Sequence, residues 1–198
     1  MIIDEQPVRT SITESSTVVA DCYYARIGVI NTGKSAARNV EVFAGDLLKR
    51  RSDGTFVRIS AFPSMNLKWS HIQRSKQTIL PGMQKHCDLG FIAHQLPAAH
   101  FVLGKTPQTI TVGLLAARKR LGIDGKVPLF EFELEVKPNH GNHIIPPGHY
   151  CIELLIAAEN ASVIRRGLRI EFTDQWWTTE NDEAIQFGFS LYQCPLTI

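Results

Sequence analysis

Apolar and polar residues alternate over strand-length stretches along most of the chain. From Leu129 to Lys137, Phe130, Phe132, Leu134 and Val136 fall on one face, and Glu131, Glu133 and Glu135 fall on the other. From Gly167 to Phe172, Leu168, Ile170 and Phe172 alternate with Arg169 and Glu171. From Ile185 to Tyr192, four apolar residues alternate with Gln186, Gly188 and Ser190, and from Tyr150 to Ala158, Ile152, Leu154 and Ile156 share a face with Tyr150, opposite Cys151 and Glu153. A period of two marks a strand with one dry and one wet face, so the three glutamates after Leu129 are expected in water. Earlier, Ala25, Ile27 and Val29 form one such face, and Val40 and Val42 another.

Turn chemistry divides these strands. Asn31-Thr32-Gly33-Lys34 reads as a hairpin turn in which Gly33 can take positive φ. The Asp53-Gly54 pair reads as the turn of a second hairpin joining Gly45–Lys49 to Thr55–Ala61. Further strands are expected at Gln84–Leu89 and Gln108–Leu115, giving about nine or ten at the spacing of a sandwich or barrel. Helix is scarce: 113–121 fits either period, and Thr178–Ala184 can start a short helix. Residues 61–80, 93–107 and 138–147 carry many of the prolines and read as loops. The expected organisation is a polar N-terminal segment, 1–16, followed by one all-β domain, 17–198, an immunoglobulin-like two-sheet β-sandwich with long loops and little helix.

Asn31-Thr32-Gly33, followed by Ala36-Ala37 and Val40-Glu41-Val42, resembles the early strands of bacterial immunoglobulin-like domains of the CARDB kind. Leu80-Pro81-Gly82, Pro147-Gly148-His149-Tyr150 and Ala158-Glu159-Asn160 look like the turns of such domains, so the similarity spans roughly 20–173 with long insertions. The resemblance implies a sandwich used for adhesion or contact, with no catalytic residues. True immunoglobulin domains join two core cysteines around a buried Trp, with a Tyr two residues before the second Cys. Here Tyr150 adjoins Cys151, and alternation places Cys22 and Cys151 on the faces opposite their apolar neighbours. A core disulfide of that type is disfavoured.

Composition narrows the function classes. The chain has 198 residues, 44% hydrophobic and 20% charged, as expected of an ordinary globular protein. Its net charge is +2; residues 1–16 carry −2 and residues 166–198 carry −3, leaving +7 on the body between them. That balance gives no strong pull toward nucleic acid or anionic lipid. Three basic clusters, Lys49-Arg50-Arg51, Arg118-Lys119-Arg120 and Arg165-Arg166, could contact phosphates weakly, but no aromatic platform is interleaved with them. The start of the chain lacks the basic and apolar regions of a signal peptide, and no window is long and apolar enough to span a bilayer. A cytoplasmic setting without membrane insertion is the expectation. With no CxxC pair, Cys22, Cys87, Cys151 and Cys194 are expected as four free thiols.

Candidate chemistry is sparse. His140, His143 and His149 surround a Pro-Pro-Gly turn and could supply three zinc ligands, though the spacing is no known metal signature. No Gly-x-Ser-x-Gly or phosphate-binding loop occurs. His86 and Cys87 are strand neighbours facing opposite ways, which excludes a thiolate pair between them. Glu131, Glu133 and Glu135 would need burial to act as paired catalytic carboxylates. No cofactor is expected. Trp176 and Trp177 lie among Asp174, Glu180, Asp182 and Glu183, where an apolar anchor inside a polar ring fits a partner or self-association contact. The sequence reading is a non-catalytic protein-binding or assembly module of unknown partner. The alternatives are a nucleic-acid-binding accessory protein using the basic clusters and, third, a metal-dependent enzyme.

Overall fold

The structure is a computed structural model that describes residues 2–4, 8–14, 17–62, 64–70, 75–93, 116–123, 127–138, 140–174 and 190–194. In chain order its elements are β1 (Ile2–Asp4), β2 (Val8–Glu14), β3 (Thr17–Ile30), β4 (Ala37–Arg50), β5 (Phe56–Arg58), β6 (Met65–Asn66), β7 (Lys68–Trp69), β8 (Gln77–Ile79) and β9 (Gln84–Ala93). After these come a short helix α1 (116–121) and then β10 (Leu129–Phe132), β11 (Ile144–Ile145), β12 (Gly148–Ala158), β13 (Ala161–Phe172) and β14 (Ser190–Cys194).

Two antiparallel sheets pack face to face, an all-β sandwich. The first runs β1-β3-β9-β10-β11, with β2 also on β3 and β7 on β9; the second runs β14-β13-β12-β4-β5, with β6 and β8 also on β4. Residues 2–4 and 8–14 of the polar N-terminal segment thus belong to the first sheet, both paired with β3. The β4–β5 hairpin forms as the Asp-Gly pair predicts, with Lys49 opposite Val57 and Gly54 at φ 86°. The turn at Leu80–Met83 closes with a hydrogen bond from the Met83 N–H to the Leu80 carbonyl at 3.0 Å, and Gly82 supplies the positive φ of 72° that this turn needs.

The alternating residues meet in one core. Ile27, Leu47, Leu89, Phe132, Tyr150 and Ile152 are fully buried within it, each contributing about 1.5–3 kcal/mol by leaving water. Phe132 packs edge-on against both Phe62 and Phe130, at centroid distances of 5.1 and 4.9 Å. Trp69, on the first sheet, joins it to the second: its indole N–H donates to the Val40 carbonyl at 3.2 Å and to the Ser75 carbonyl at 2.9 Å.

Several sequence expectations give way here. The Asn31–Lys34 turn joins no hairpin, because β3 pairs with β9 and β4 with β12, so the chain crosses from one sheet to the other at that point. Gly33 is not among the positive-φ residues; the Asn31 side chain makes the turn, accepting the Gly33 N–H at 2.9 Å and donating to the carbonyls of Ser35 and Ile79. Within 61–80, expected as a loop, lie β6, β7 and β8, each too short to show a period. The strand after Leu129 stops at Phe132, and Val136 is 76% exposed instead of joining the core.

The expectation of four free thiols is also overturned. Cys151 and Cys194 are bonded, with their Cα atoms 6.3 Å apart, while Cys87 is free and buried. Alternation put Cys151 on the outer face correctly, but that face is covered where β14 ends: Cys194 sits opposite Gly167 of β13, and Gly167 sits opposite Glu153 of β12. A Cβ at Gly167 would overlap the Cys194 carbonyl, so only glycine allows this approach. The expected strand at Gln108–Leu115, the expected helix at Thr178–Ala184 and residues 94–107 of the expected loop lie outside the described residues, as do Ile185 to Phe189 of the expected strand ending in β14, while Ala93 ends β9.

Candidate functional site

Two regions depart from the ordinary distribution of charge and apolar surface. The first is the outer face of the first sheet. Glu131 and Glu133, expected in water, are only 6% and 7% exposed, with Asp88 and Lys68 at 4%. Register explains how they meet. Asp88 of β9 stands between Arg26 of β3 and Lys68 of β7, and Phe91 stands between Tyr24 of β3 and Glu131 of β10. Direct cross-strand neighbours project to the same side, so these rows form a continuous surface.

Charge on that surface is balanced. Arg26 holds Asp88 at 3.1 Å, Lys68 holds Glu133 at 2.9 Å, and Lys137 holds Glu131 at 2.5 Å and the second oxygen of Glu133 at 3.4 Å. Ser70 donates to Asp88 at 2.5 Å, and His143 Nε2 lies 3.7 Å from Glu131. Burial pushes the Glu131 carboxyl up, but His143 and Lys137 outweigh it and leave it below its usual value. Burial pulls Lys137 down, and Glu131 and Glu133 outweigh that and raise it. Burial, with Asp88 and Glu133 close by, raises the Tyr24 phenol far above its usual value. One end of the face is roofed: Ala117 of α1 packs on Leu129 and Ile144, and Arg120 donates to the carbonyls of Gly141 and Ile144. The arrangement is a neutralised lattice in which each carboxylate already has its cation.

The second region is one open end of the sandwich, where three turns meet: Asn31–Ala36, Leu80–Met83 and Glu159–Asn160. Between the sheets lies an apolar cavity of about 220 Å³, lined by Val29, Val40, Ile79, Ile156, Ala158 and Ile164 among others. Ile164 lines this cavity and is 37% exposed; Leu80, 53% exposed, directly follows the lining residue Ile79, and its turn closes on Met83, 48% exposed. The rim is braced. The Asn160 side chain accepts the Arg38 N–H at 3.0 Å and donates to the Ala36 carbonyl at 2.9 Å, and Asn39, at φ 47°, donates to Glu159 at 2.5 Å. These bonds fix the turns around an opening that no described side chain fills.

The sequence-predicted chemistry is scattered. His143 is buried against Glu131, with no hydrogen-bond partner for its Nδ1 among the described residues; His149 pairs with Glu171 at 3.2 Å; His140 is exposed and accepts the Asn142 N–H at 3.3 Å. Among the described residues no group of three His, Cys, Asp or Glu is placed to hold a metal ion. Of the basic clusters, Arg118 and Arg120 hold backbone carbonyls and Arg165 pairs with Glu153 at 2.7 Å. Lys49, Arg50 and Arg51 gather with Arg58 around a surface hollow of about 410 Å³ at the far end of β4 from the cavity. Trp176 and Trp177 lie outside the described residues. The turns that frame the open end, at Asn31–Gly33, Leu80–Gly82 and Ala158–Asn160, were legible in the sequence as turns, but no motif marked the apolar cavity between them. No helix of the described residues is long and apolar enough to cross a membrane. No protein-family model, curated protein or solved structure matches the chain.

Proposed function

We propose that the protein is a non-catalytic binding module that receives a protein partner at the open end of the sandwich. The carrying observation is the braced apolar cavity, lined by the part-exposed Ile164, with Leu80 and Met83 exposed in the turn that follows the lining residue Ile79. Single exposed apolar residues are ordinary, but three beside one cavity mark a contact surface. The resemblance to CARDB-type domains agrees with a contact role. The charged face supports the non-catalytic side of the reading, since its carboxylates and lysines neutralise one another. A cytoplasmic setting is weakened by the Cys151–Cys194 bond, which is commoner in oxidising compartments.

The test is retention from extract on immobilised wild type and on the double variant Leu80→Glu, Met83→Glu. Wild type should retain a saturable, identifiable protein that the variant loses. Equal retention by both, or none by either, overturns the reading. A second reading, nucleic-acid binding, draws on the hollow ringed by Lys49, Arg50, Arg51 and Arg58, although Asp46 already pairs with Arg58 at 2.7 Å. A DNA and RNA titration across salt concentration separates the two readings, because phosphate contacts weaken steeply with salt.

A further inference from the structure

At the far end of β4 from the cavity, the β4–β5 hairpin gathers positive charge around a hollow of about 410 Å³. Lys49, Arg50, Arg51 and Arg58 line it, together with Val57 and Ile59. Residues 46–59 hold these four cations against two acids, Asp46 and Asp53, a net of +2. Both acids are engaged within the hairpin. Asp46 pairs with Arg58 at 2.7 Å, and Asp53 accepts the Thr55 N–H at 2.9 Å and the Thr55 hydroxyl at 2.6 Å. Among the described residues no carboxylate pairs with Lys49, Arg50 or Arg51.

The frame that carries these side chains is held in place. Lys49 is in register with Val57 and Leu48 with Arg58, the Arg51 N–H donates to the Thr55 carbonyl at 2.8 Å, and the Gly54 N–H donates to the Arg51 carbonyl at 3.0 Å. Lys49 extends its Nζ over the ring of the buried Tyr150, 5.8 Å from the centroid, and Ile59 packs against the core. Arg50 folds back over the turn, its guanidinium 3.6 Å from where a Cβ on Gly54 would stand. Alternation sends Lys49 and Val57 to one face of the hairpin and Arg58 to the other, so cations reach the hollow from two sides.

That geometry selects among anions. A planar carboxylate is satisfied by a single guanidinium fork, whereas a phosphate offers oxygens in several directions and suits donors that converge from two sides. A phosphate monoester carries about two negative charges at neutral pH, matching the hairpin's excess. The hollow lies in the range of about 300–1,000 Å³ typical of small-molecule sites, and Val57 and Ile59 give it an apolar wall. A nucleic-acid track would continue along further cations, but Arg118 and Arg120 hold backbone carbonyls and Arg165 pairs with Glu153.

We propose that this hollow binds the phosphate monoester of a small molecule. Lys49, Arg51 and Arg58 donate to the phosphate oxygens, and the carbon part of the ester rests on Val57 and Ile59. Arg50 adds its charge from over the turn. Asp46 competes with the ligand for Arg58 and so sets the affinity. The site is separate from the open end and does not depend on what binds there.

The test titrates phenyl phosphate into the full chain, read by calorimetry and by the backbone amide shifts of residues 49–59. Arg51→Gln should weaken binding by about fivefold or more, while Lys34→Gln, which removes an exposed cation at the opposite end of the sandwich, should leave it unchanged. Asp46→Asn should tighten binding by about two- to fivefold by releasing Arg58, a gain that general damage to the fold would not produce. Phenyl sulfate, with one negative charge, and inorganic phosphate, without a carbon part, should each bind more weakly than phenyl phosphate. No binding of phenyl phosphate, equal weakening by Arg51→Gln and Lys34→Gln, or a loss with Asp46→Asn overturns the proposal. Inorganic phosphate binding as tightly as the ester also overturns it, because the apolar wall then selects nothing. A twelve-nucleotide oligothymidylate that binds more tightly than phenyl phosphate, with a steep salt dependence, replaces it with the nucleic-acid reading.

Discussion

On the outer face of the first sheet charged side chains are buried, and at the open end of the sandwich apolar side chains are exposed. Each region inverts the ordinary arrangement, and they do so with different consequences. Glu131, Glu133 and Asp88 lose water but gain Lys137, Lys68 and Arg26, so their demands are met inside the molecule. Leu80, Met83 and Ile164 flank a space that nothing described fills. An inverted region whose demands are met internally contributes to holding the fold. One whose demands are unmet is where a second molecule can act.

The comparison breaks most sharply if the charged face proves wet. Lys68→Ala leaves the buried Glu133 carboxylate with one cation in place of two, and should destabilise the fold by about 3–5 kcal/mol. The double variant Lys68→Met, Glu133→Leu removes both charges and should recover most of that loss. Urea unfolding measures both. A cost below about 1 kcal/mol for Lys68→Ala would assign the pair to solvent, where surface ion pairs are worth that little.

The sequence shows why one region was half legible and the other was not. Alternation over Leu129 to Lys137 separates two faces correctly, Phe130 and Phe132 inward and Glu131 and Glu133 outward. It cannot say that the outward face is covered, because that depends on Lys68, 65 residues from Glu133 in sequence. Long strands such as β12 and β13 and the Asp53-Gly54 hairpin were readable because their signals are local. The crossing at Asn31 was read as a hairpin because a turn sequence does not say which sheet receives the next strand. The cavity at the open end has no local signature, since its lining comes from β3, β4, β8, β12 and β13, which are far apart in sequence.

Next in size is the bond that holds β14 against β13. Cys151 and Cys194 close a loop with a sequence separation of 43 residues, and Cys151→Ser should cost about 2–4 kcal/mol in urea unfolding. It should also raise hydrogen exchange at Gly167–Glu171, where β14 pairs with β13. Exchange unchanged by the substitution would mean that the ladder alone holds β14.

Acid produces a smaller effect confined to the charged face. The Glu131 carboxyl lies below its usual value in the folded state, so its contribution is present above the ordinary carboxylate range and is lost as pH falls through the folded value. Lys137, raised by Glu131 and Glu133, contributes below the ordinary lysine value and loses that contribution as pH rises through its folded value. Stability should therefore hold between these limits and decline on both sides, with Glu131→Gln flattening the acid side. An unchanged acid slope in that variant would remove Glu131 from the balance.

The smallest stability effect belongs to the open end, and it tests the other half of the comparison. Leu80 and Met83 are about half exposed, so replacing either with Glu removes little buried area and creates no cavity. Each substitution should change unfolding stability by no more than about 0.5 kcal/mol, the range of surface changes away from special features. Val40 and Ile156 line the same cavity but are buried at 2% and 6%, and Ile156→Ala should cost about 2–5 kcal/mol. The boundary between floor and rim thus becomes a boundary between folding and binding. If Met83→Glu destabilises the protein as much as Ile156→Ala does, the rim is part of the core and the open end is closed in solution. If it leaves stability alone while abolishing partner retention, Met83 acts on the partner and not on the fold.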